Sequence, residues 1–258
     1  MNSDSVTQGN EASPIMHVKW CGFRYGQCVM WPGKLRSSLI LGDTYKDLGK
    51  PELIADKIHK YRTLKEKYGE YRFLKDGPPD ELCSFVFDSH AEAVRIFGRK
   101  ELDLLETGEG LDDALAYLQS RRIELEVLSE TKKSMGPGSV DVVVKFLKSR
   151  ELDKYFRKLI TPQGKIDLED NSVDLRYNGR LMRDGTLYDT LAKDLSEKDV
   201  EPQEAVLVGA FPDTDIDPAH SRGFKTIQYK GFADLGDSKA DTAISSFREL
   251  KEILRKKG

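Results

Sequence analysis

Residues 18–26 read VKWCGFRYG, an apolar run that ends at Arg24, Tyr25 and Gly26. A short apolar run bounded by turn-forming residues is typical of a buried β-strand. Further runs of this kind occupy residues 123–128, 205–208, 224–229 and 242–244. We therefore predict a set of buried strands distributed along the chain.

Amphipathic helices are predicted between these strands. Leu111, Ala114, Leu115 and Leu118 fall at i, i+3, i+4 and i+7, which places them on one face of a helix. Similar spacing recurs near residues 143–147, 187–195 and 247–254. Alternating strands and helices indicate an α/β fold, in which a Rossmann-like, mostly parallel sheet carries helices on both faces.

Residues 33–107 interrupt this alternation, because they are rich in charged and helix-favouring residues. A Gly77-Pro78-Pro79 turn separates two helical stretches within them. We expect an all-helical insertion, the cap, between the first and second strands of a core domain formed by residues 15–32 and 108–258. Residues 1–14 are polar, lack the basic and apolar regions of a signal peptide, and are expected to form a loose tail.

A second irregular segment spans residues 165–183. Within it, residues 174–180 read DLRYNGR and contain Asn178-Gly179, a dipeptide that favours a tight hairpin turn. We predict a small β-hairpin whose turn lies at these two residues.

The composition is that of a folded globular protein. Hydrophobic residues make up 38% and charged residues 33%, and the formal net charge is −3. No block of one charge sign and no apolar run of membrane-spanning length occurs, so we expect neither a nucleic-acid nor a membrane partner. Cys21, Cys28 and Cys83 suit neither a disulfide framework nor a zinc site, which favours free thiols and a cytoplasmic location.

The ends of the predicted strands indicate where a ligand would bind. Arg24, Ser129 and Ala210 each come directly after the apolar part of a strand. In an open parallel sheet, ligands bind outside the carboxyl ends of the strands, at the point where the strand order reverses. These three residues would line one pocket if their strands are neighbours.

Three later segments resemble motifs of the haloacid-dehalogenase (HAD) superfamily of phosphatases. Residues 123–131 (IELEVLSET) look like the second motif, in which a strand delivers a Ser or Thr to phosphate. Residues 208–216 (VGAFPDTDI) and 222–227 (RGFKTI) look like the fourth motif and the strand that follows it. The resemblance covers residues 16–32 and about 108–258, and it implies an α/β core with a helical cap at the insertion.

Several catalytic positions of the family carry other residues in this sequence. The family's first motif, Asp-x-Asp-Gly-Thr after the first strand, aligns so that Arg24 replaces the nucleophile and Gly26 the acid–base aspartate. Ala210 replaces the first acidic residue of the fourth motif. Ser129 and Asp215 match the family pattern.

These replacements affect the chemistry that the resemblance implies. Met182 and Arg183 lie where the family carries a lysine. The family forms a covalent aspartyl-phosphate, and a protonated guanidinium has no lone pair with which to attack phosphorus. Magnesium is held through carboxylates, so Arg24 and Ala210 make magnesium binding poor; we expect no metal ligand and no cofactor. The guanidinium is instead expected to pair with Asp215.

We therefore expect no standard catalytic residue and a HAD-like protein that has lost the phosphatase machinery. Arg24, Ser129, Arg183 and Asp215 would bind a small phosphorylated or carboxylate ligand, or the protein would act through a protein partner. Purely structural roles also fit these residues. Arg24 suits a structural ion pair without a ligand, and Ser129 and Asp215 suit caps of helices or turns.

A HAD-type hydrolase with rebuilt chemistry is the alternative. It would use residues of the insertion, such as Asp88 or His90. Asp88 also follows the run Phe85-Val86-Phe87 and would be the first-motif aspartate if that run were a strand. The residues after Asp88 lack the Asp-Gly-Thr that the motif requires.

Overall fold

The computed structural model describes residues 15–33, 36–68, 82–130 and 142–257. Its strands are β1 (Met16–Val18), β2 (Trp20–Arg24), β3 (Met30–Trp31), β4 (Glu106–Thr107), β5 (Glu124–Leu128), β6 (Lys158–Thr161), β7 (Gly164–Asp167), β8 (Val173–Asp174), β9 (Ala205–Gly209), β10 (Lys225–Tyr229), β11 (Thr242–Ile244) and β12 (Leu254–Lys256). Its α-helices are α1 (Ser37–Asp47), α2 (Ile54–Tyr68), α3 (Ala91–Asp103), α4 (Leu111–Ser120), α5 (Val142–Ser149), α6 (Thr186–Ser196), α7 (Asp217–His220) and α8 (Leu250–Ile253).

The central sheet has eight strands within the described residues, in the order β11-β10-β9-β2-β5-β6-β7-β8. Neighbouring strands are parallel from β11 to β6, whereas β7 and β8 are each antiparallel to the preceding strand. Because β2 lies between β5 and β9, the strand order reverses there and the carboxyl ends of these strands border a crevice. The predicted α/β fold with a mostly parallel sheet is confirmed.

Helices pack on both faces of this sheet, as the alternation of elements predicts. Successive residues of a strand point to opposite faces. Trp20 and Leu207 therefore pack with α6, whereas Cys21 and Val208 pack on the side of α4 and α5. Both faces are buried, which explains why the strands read as nearly continuous apolar runs. Among the described residues, no helix combines the length and apolar character needed to cross a bilayer.

Gly22 permits close packing at the centre of β2. The indole of Trp20 lies directly over it, and a Cβ atom at residue 22 would come 2.7 Å from Leu128 Cδ1 and 2.8 Å from Leu207 Cδ2. Side chains of three parallel strands thus meet above a residue that has none. This packing fixes the middle strand, whose carboxyl end carries Arg24.

The insertion is joined to the core by two short strands. β3 carries the chain out of the core and β4 brings it back, and the two pair antiparallel, with Trp31 opposite Glu106. Helices α1, α2 and α3 and a π-helical turn at Leu82–Val86 form the described part of the insertion. It has its own apolar core, which includes Leu41, Tyr45, Val86 and Phe97. The Gly77-Pro78-Pro79 turn and the predicted tail at 1–14 lie outside the described residues.

The predicted hairpin turn at Asn178-Gly179 is wrong. Asp174 ends β8 and its carboxylate accepts a hydrogen bond from the backbone N–H of Arg176 at 3.0 Å, which starts a 3-10 turn at Leu175–Tyr177. Tyr177 is fully buried rather than placed on an edge strand. The antiparallel pairing instead joins β6 to β7 and β7 to β8. A local side-chain cap therefore replaces the second strand of the expected hairpin.

The two ends of the described chain pair with each other. The first apolar run divides at Lys19 into β1 and β2, and β1 pairs in parallel with β12. The helix predicted through Leu254 is shorter than expected, because Leu254 is fully buried as the first residue of β12. Helix α8 accordingly ends at Ile253.

Candidate functional site

The candidate site lies at the carboxyl ends of β2, β5 and β9. Arg24 is the last residue of β2, and its neighbour Tyr25 donates a backbone hydrogen bond to Leu128 of β5 at 2.8 Å. Ser129 directly follows β5 and Ala210 directly follows β9. The strand ends that the sequence singled out are therefore adjacent in the sheet.

Within the described residues, the Arg24 side chain has three contacts, and one of these is a hydrogen bond to a weak acceptor. Its Nη1 lies 2.7 Å from the thioether sulfur of Met182, and its Nε lies 3.6 Å from Oδ1 of Asp215. Its guanidinium carbon lies 6.0 Å from the centre of the Phe211 ring. The side chain is 13% exposed, and the buried Nε has no hydrogen-bond acceptor in the described part of the chain. The guanidinium thus keeps one buried N–H group, at Nε, without an acceptor among the described residues.

Asp215 is the carboxylate that faces Arg24, and it is almost completely buried. Its Oδ2 accepts hydrogen bonds from the backbone N–H groups of Ala210 and Phe211, both at 3.0 Å. Its Oδ1 accepts a hydrogen bond from the Thr214 hydroxyl at 2.9 Å. Burial raises the pKa of Asp215, and the charge of Arg24 and these hydrogen bonds only partly oppose the rise.

The loop after β9 is shaped to fold Asp215 back over the strand end. Gly209 makes this possible, because a Cβ atom there would lie 2.5 Å from Asp215 Cβ and 3.0 Å from its Oδ2. The loop continues as a π-helical turn at Pro212–Ile216. Tyr188 of α6 donates its hydroxyl toward the carbonyl oxygens of Thr214 and Asp215, each at 3.1 Å. Asp215 therefore holds its own loop through the N–H groups that precede it, and it does not cap the helical turns at Pro212–Ile216 and Asp217–His220.

Glu130 holds the segment that carries Met182. Its Oε1 accepts hydrogen bonds from the backbone N–H groups of Met182 at 2.7 Å and Arg183 at 3.0 Å. Met182 is buried against the face that α6 covers, with its sulfur toward Arg24. The side chain of Arg183 is exposed, and the structure gives its backbone, not its guanidinium, a contact here.

Sequence reasoning missed Glu130, Phe211 and Tyr188 as parts of this site. Glu130 bonds residues 52 and 53 positions away, and no local pattern indicates such a partner. Phe211 follows Ala210 in the resembling motif, and this position beside a strand end was the available signal.

Two other predicted positions, Ser129 and Gly26, have few described contacts at the site. Ser129 is buried, and its backbone N–H donates to the Ile160 carbonyl at 2.9 Å. A helix capped by Ser129 would begin within residues 131–141, which lie outside the described part of the chain. Gly26 forms an isolated bridge with Met30 and has open space where a side chain would begin.

Asp88 and His90 find their hydrogen-bond partners within the insertion. Asp88 accepts hydrogen bonds from Lys57 and, at 3.0 Å, from Lys60, and these bonds lower its pKa. His90 caps α3, with Nδ1 accepting from the Ala93 N–H at 3.2 Å. Because the preceding residues form a π-helical turn and not a strand, the alignment that places a first-motif aspartate at Asp88 is wrong.

A metal-binding cluster is not present in the part of the chain that the structure describes. No group of three or more His, Cys, Asp or Glu side chains converges there. The described cysteines are free thiols: Cys21 and Cys28 are buried, and burial raises the pKa of both, whereas Cys83 is partly exposed.

Comparisons with known proteins identify the fold. No protein-family model matches the chain, and the search of curated proteins found no match. A 2-haloacid dehalogenase from Pseudomonas syringae pv. tomato is similar in structure, with a TM-score of 0.58 and 15% identity over 92% of this chain and 97% of that protein. A HAD phosphatase from Thermococcus onnurineus has a TM-score of 0.55 and 19% identity, over 92% and 97% of the two chains.

A third solved structure extends the comparison. A HAD-hydrolase from Bacillus subtilis, described as bound to magnesium, has a TM-score of 0.53 and 12% identity over 92% of this chain and 98% of that one. All three structures are matched over almost their whole length, insertion included. The chain therefore has the fold of the HAD-superfamily hydrolases, as the sequence motifs predict.

Proposed function

We propose that this protein does not perform the standard phosphoryl hydrolysis of the HAD fold and instead binds a small anion at the carboxyl end of β2. The anion would be a phosphorylated or carboxylate compound. One observation carries the proposal. The Arg24 guanidinium stands at the strand end with its side chain 13% exposed, and its buried Nε has no hydrogen-bond acceptor within the described residues.

The absence of hydrolysis follows from the chemistry of Arg24. Covalent phosphoryl transfer needs an oxygen nucleophile, and a guanidinium offers only donors. Asp215, the carboxylate nearest to Arg24 among the described contacts, is buried and already accepts three hydrogen bonds. Neither side chain can therefore attack a substrate phosphorus without rearrangement of the loop.

Anion binding follows from the positive charge of Arg24 and from its Nε donor, which has no acceptor among the described residues. Leaving a buried N–H without an acceptor is unfavourable, and an arginine can satisfy several donors with one bidentate phosphate or carboxylate. The charge of Asp215 partly offsets that of Arg24, so we expect weak binding, with dissociation constants on the order of millimolar. Arg183 is exposed and directly follows Met182, which contacts Arg24. Its side chain is therefore available to extend toward a bound anion.

Isothermal titration with inorganic phosphate, acetate and a sugar phosphate tests the proposal. The native chain should bind at least one of these probes, and Arg24→Gln should abolish the binding. Arg121→Gln is the matched control. Arg121 is exposed and precedes β5, so it lies near the amino end of that strand, away from the site at the carboxyl ends. Equal binding by the native chain and Arg24→Gln, or no binding of any probe, contradicts the proposal.

A hydrolase assay separates this proposal from the rebuilt-hydrolase alternative. With magnesium and p-nitrophenyl phosphate, we expect no turnover above that of Arg24→Gln. Turnover that is lost in Asp88→Asn would favour the alternative. An aspartyl-phosphate adduct detected by mass spectrometry would rule out the proposed loss of hydrolysis. We further propose a cytoplasmic location, which the free thiols of the three cysteines support.

A further inference from the structure

The HAD fold brings an expectation of magnesium, which one of the similar structures is described as containing. We infer that Arg24 provides the fixed positive charge of this site and that the site excludes a divalent cation. The inference deepens the proposed function, since it names the charge that a bound anion would meet. Its test needs no anion, so the two can fail separately.

The donor set of Asp215 does not fit a metal ion. A carboxylate presents about four lone-pair sites. Three of them accept hydrogen bonds, from the N–H groups of Ala210 and Phe211 and from the Thr214 hydroxyl. The Arg24 Nε, 3.6 Å from Oδ1, faces the same oxygen that Thr214 uses. One lone pair of Oδ1 remains, and it faces the Arg24 cation, so a metal ion that approached Asp215 would meet this positive charge.

A second carboxylate is also missing at the position where a metal would need it. Ala210 follows β9 and presents a methyl group, and it is nearly fully buried. Glu130, a further carboxylate at this edge, uses Oε1 to accept from the N–H groups of Met182 and Arg183. Magnesium takes a nearly octahedral set of oxygens, usually with one or two carboxylates among them, and the described residues do not converge in that way.

The guanidinium is held in place at the strand end. The Met182 sulfur contacts Nη1, and the centre of the Phe211 ring lies 6.0 Å from the guanidinium carbon. Met182 is itself buried, and Glu130 fixes its backbone. Because arginine stays protonated in proteins, a divalent ion placed next to Asp215 would be repelled at every accessible pH.

Metal titration of the native chain is the primary test. Binding of Mn²⁺, followed by electron paramagnetic resonance, and of Mg²⁺, followed by calorimetry, should be undetectable at millimolar metal. Arg24→Asp places a second carboxylate beside Asp215 and removes the cation, so it should bind Mn²⁺ about tenfold or more tightly than the native chain. Arg24→Gln, which removes the charge without adding a ligand, should gain less.

A double variant identifies the ligands of the gained site. Arg24→Asp combined with Asp215→Asn should lose the gained affinity, because one of the two carboxylates is then absent. Circular dichroism of each variant checks that it folds. If Arg24→Asp does not fold, the test is Mn²⁺ binding by the native chain and by Asp215→Asn. Neither of these chains contains the new carboxylate.

The results that overturn the inference are equally specific. Micromolar Mn²⁺ binding by the native chain that Asp215→Asn abolishes would show that Arg24 does not exclude the metal. A folded Arg24→Asp variant that binds no better than the native chain would also overturn it. If metal is excluded but no anion binds, the inference stands and only the proposed function fails.

Discussion

At the scale of single residues, the site is built around Arg24 at the carboxyl end of β2. The charge of Arg24 is compensated by a single carboxylate at 3.6 Å, and its nearest hydrogen-bond acceptor is the neutral sulfur of Met182. Asp215, in turn, is buried with a raised pKa and relies on three hydrogen-bond donors as well as on Arg24. The two side chains therefore stabilise each other less than a close bidentate pair would.

Replacing Arg24 should make stability depend more strongly on pH. Arg24→Gln leaves the Asp215 charge buried without its cation, so we expect a loss of about 1–3 kcal/mol at pH 7. A buried carboxyl with a raised pKa stabilises the fold in its protonated form, and that contribution is lost as pH rises above its ordinary value of 3.8. The loss should therefore shrink as pH falls. Urea unfolding at pH 7 and pH 5 measures it, and an equal loss at both would contradict this account.

Gly209 offers a test of how Asp215 is positioned. Gly209→Ala brings a Cβ to 2.5 Å from Asp215 Cβ, so the loop must shift, at a cost of about 1–3 kcal/mol, and anion binding should weaken. Gly26→Ala is the matched control, because no atom lies within 4 Å of its new Cβ; its effect should stay within about 0.5 kcal/mol. Thermal unfolding and phosphate titration compare the two variants. Similar losses in both would argue against the proposed positioning.

At the scale of elements, three charged side chains join β5, β7 and α6 inside the protein. Lys165 Nζ lies 2.6 Å from Glu126 Oε1 and 2.7 Å from Asp194 Oδ2, and all three side chains are buried. Tyr177 donates its hydroxyl to Asp194 at 3.0 Å. Glu126 Oε2 has no hydrogen-bond partner among the described residues. One lysine thus serves two buried carboxylates.

The two carboxylates respond to this environment differently. Burial raises the pKa of Glu126 more than Lys165 lowers it. Burial also raises that of Asp194, but the hydrogen bonds from Lys165 and Tyr177 together outweigh it, so its pKa lies below the ordinary value. Asp194 is therefore the firmer partner of Lys165, and Glu126 is the group that is easier to protonate.

Removing Lys165 should destabilise the sheet strongly. Lys165→Met leaves buried Glu126 without its cation and leaves Asp194 with the half-exposed Arg176 at 2.9 Å, so we expect a loss of about 3–5 kcal/mol at pH 7. The loss should be smaller at pH 5, where the carboxyls protonate more readily. Lys193→Met, an exposed lysine on α6, is the control and should change little. Denaturant unfolding measures both, and a Lys165→Met chain as stable as the control would show that the network contributes no stability.

Glu126→Gln should flatten the pH dependence of stability. Because the pKa of Glu126 is raised by folding, the folded protein binds this proton more tightly than the unfolded protein does. Its stability therefore falls as pH rises above the ordinary value of 4.5. The glutamine variant lacks this proton, so its free energy of unfolding should vary less between pH 5 and pH 7. A steeper dependence in the variant would refute the assignment.

At the scale of the whole molecule, an aromatic stack packs the strand that leads into the insertion against the core. Trp31 of β3 stacks on Phe232, with ring centres 5.2 Å apart and planes 10° from parallel. Phe232 follows β10 and also contacts Tyr229 edge-on at 5.1 Å. β3 and β4 are where the chain leaves and re-enters the core, so this stack lies at the base of the insertion.

Trp31→Ala should loosen the insertion more than it destabilises the core. We expect faster hydrogen exchange at β3 and β4, with little change in β2 and β9, because those two strands pair with each other inside the central sheet. Phe85→Ala, which removes an exposed ring within the insertion, is the control and should not have this effect. Exchange measured by mass spectrometry decides; uniform protection in both variants would count against a role for the stack.

Much of this architecture could be predicted from local sequence. The runs at 205–208 and 242–244 predicted β9 and β11 to within a residue, because a buried parallel strand is apolar along its whole length. The order of strands and helices predicted the α/β class, and the segment after β9 located Asp215. These features depend on neighbours in the chain, so the sequence alone determined them.

Other features were decided only by tertiary structure. Arg24 and Met182 are 158 residues apart, and their contact exists because Glu130 holds one loop at the end of β5. The pairing of β1 with β12 likewise overrode local propensity. In each case the deciding energy comes from burying a side chain or satisfying a polar group against a distant partner. Periodicity along the chain carries no record of such partners.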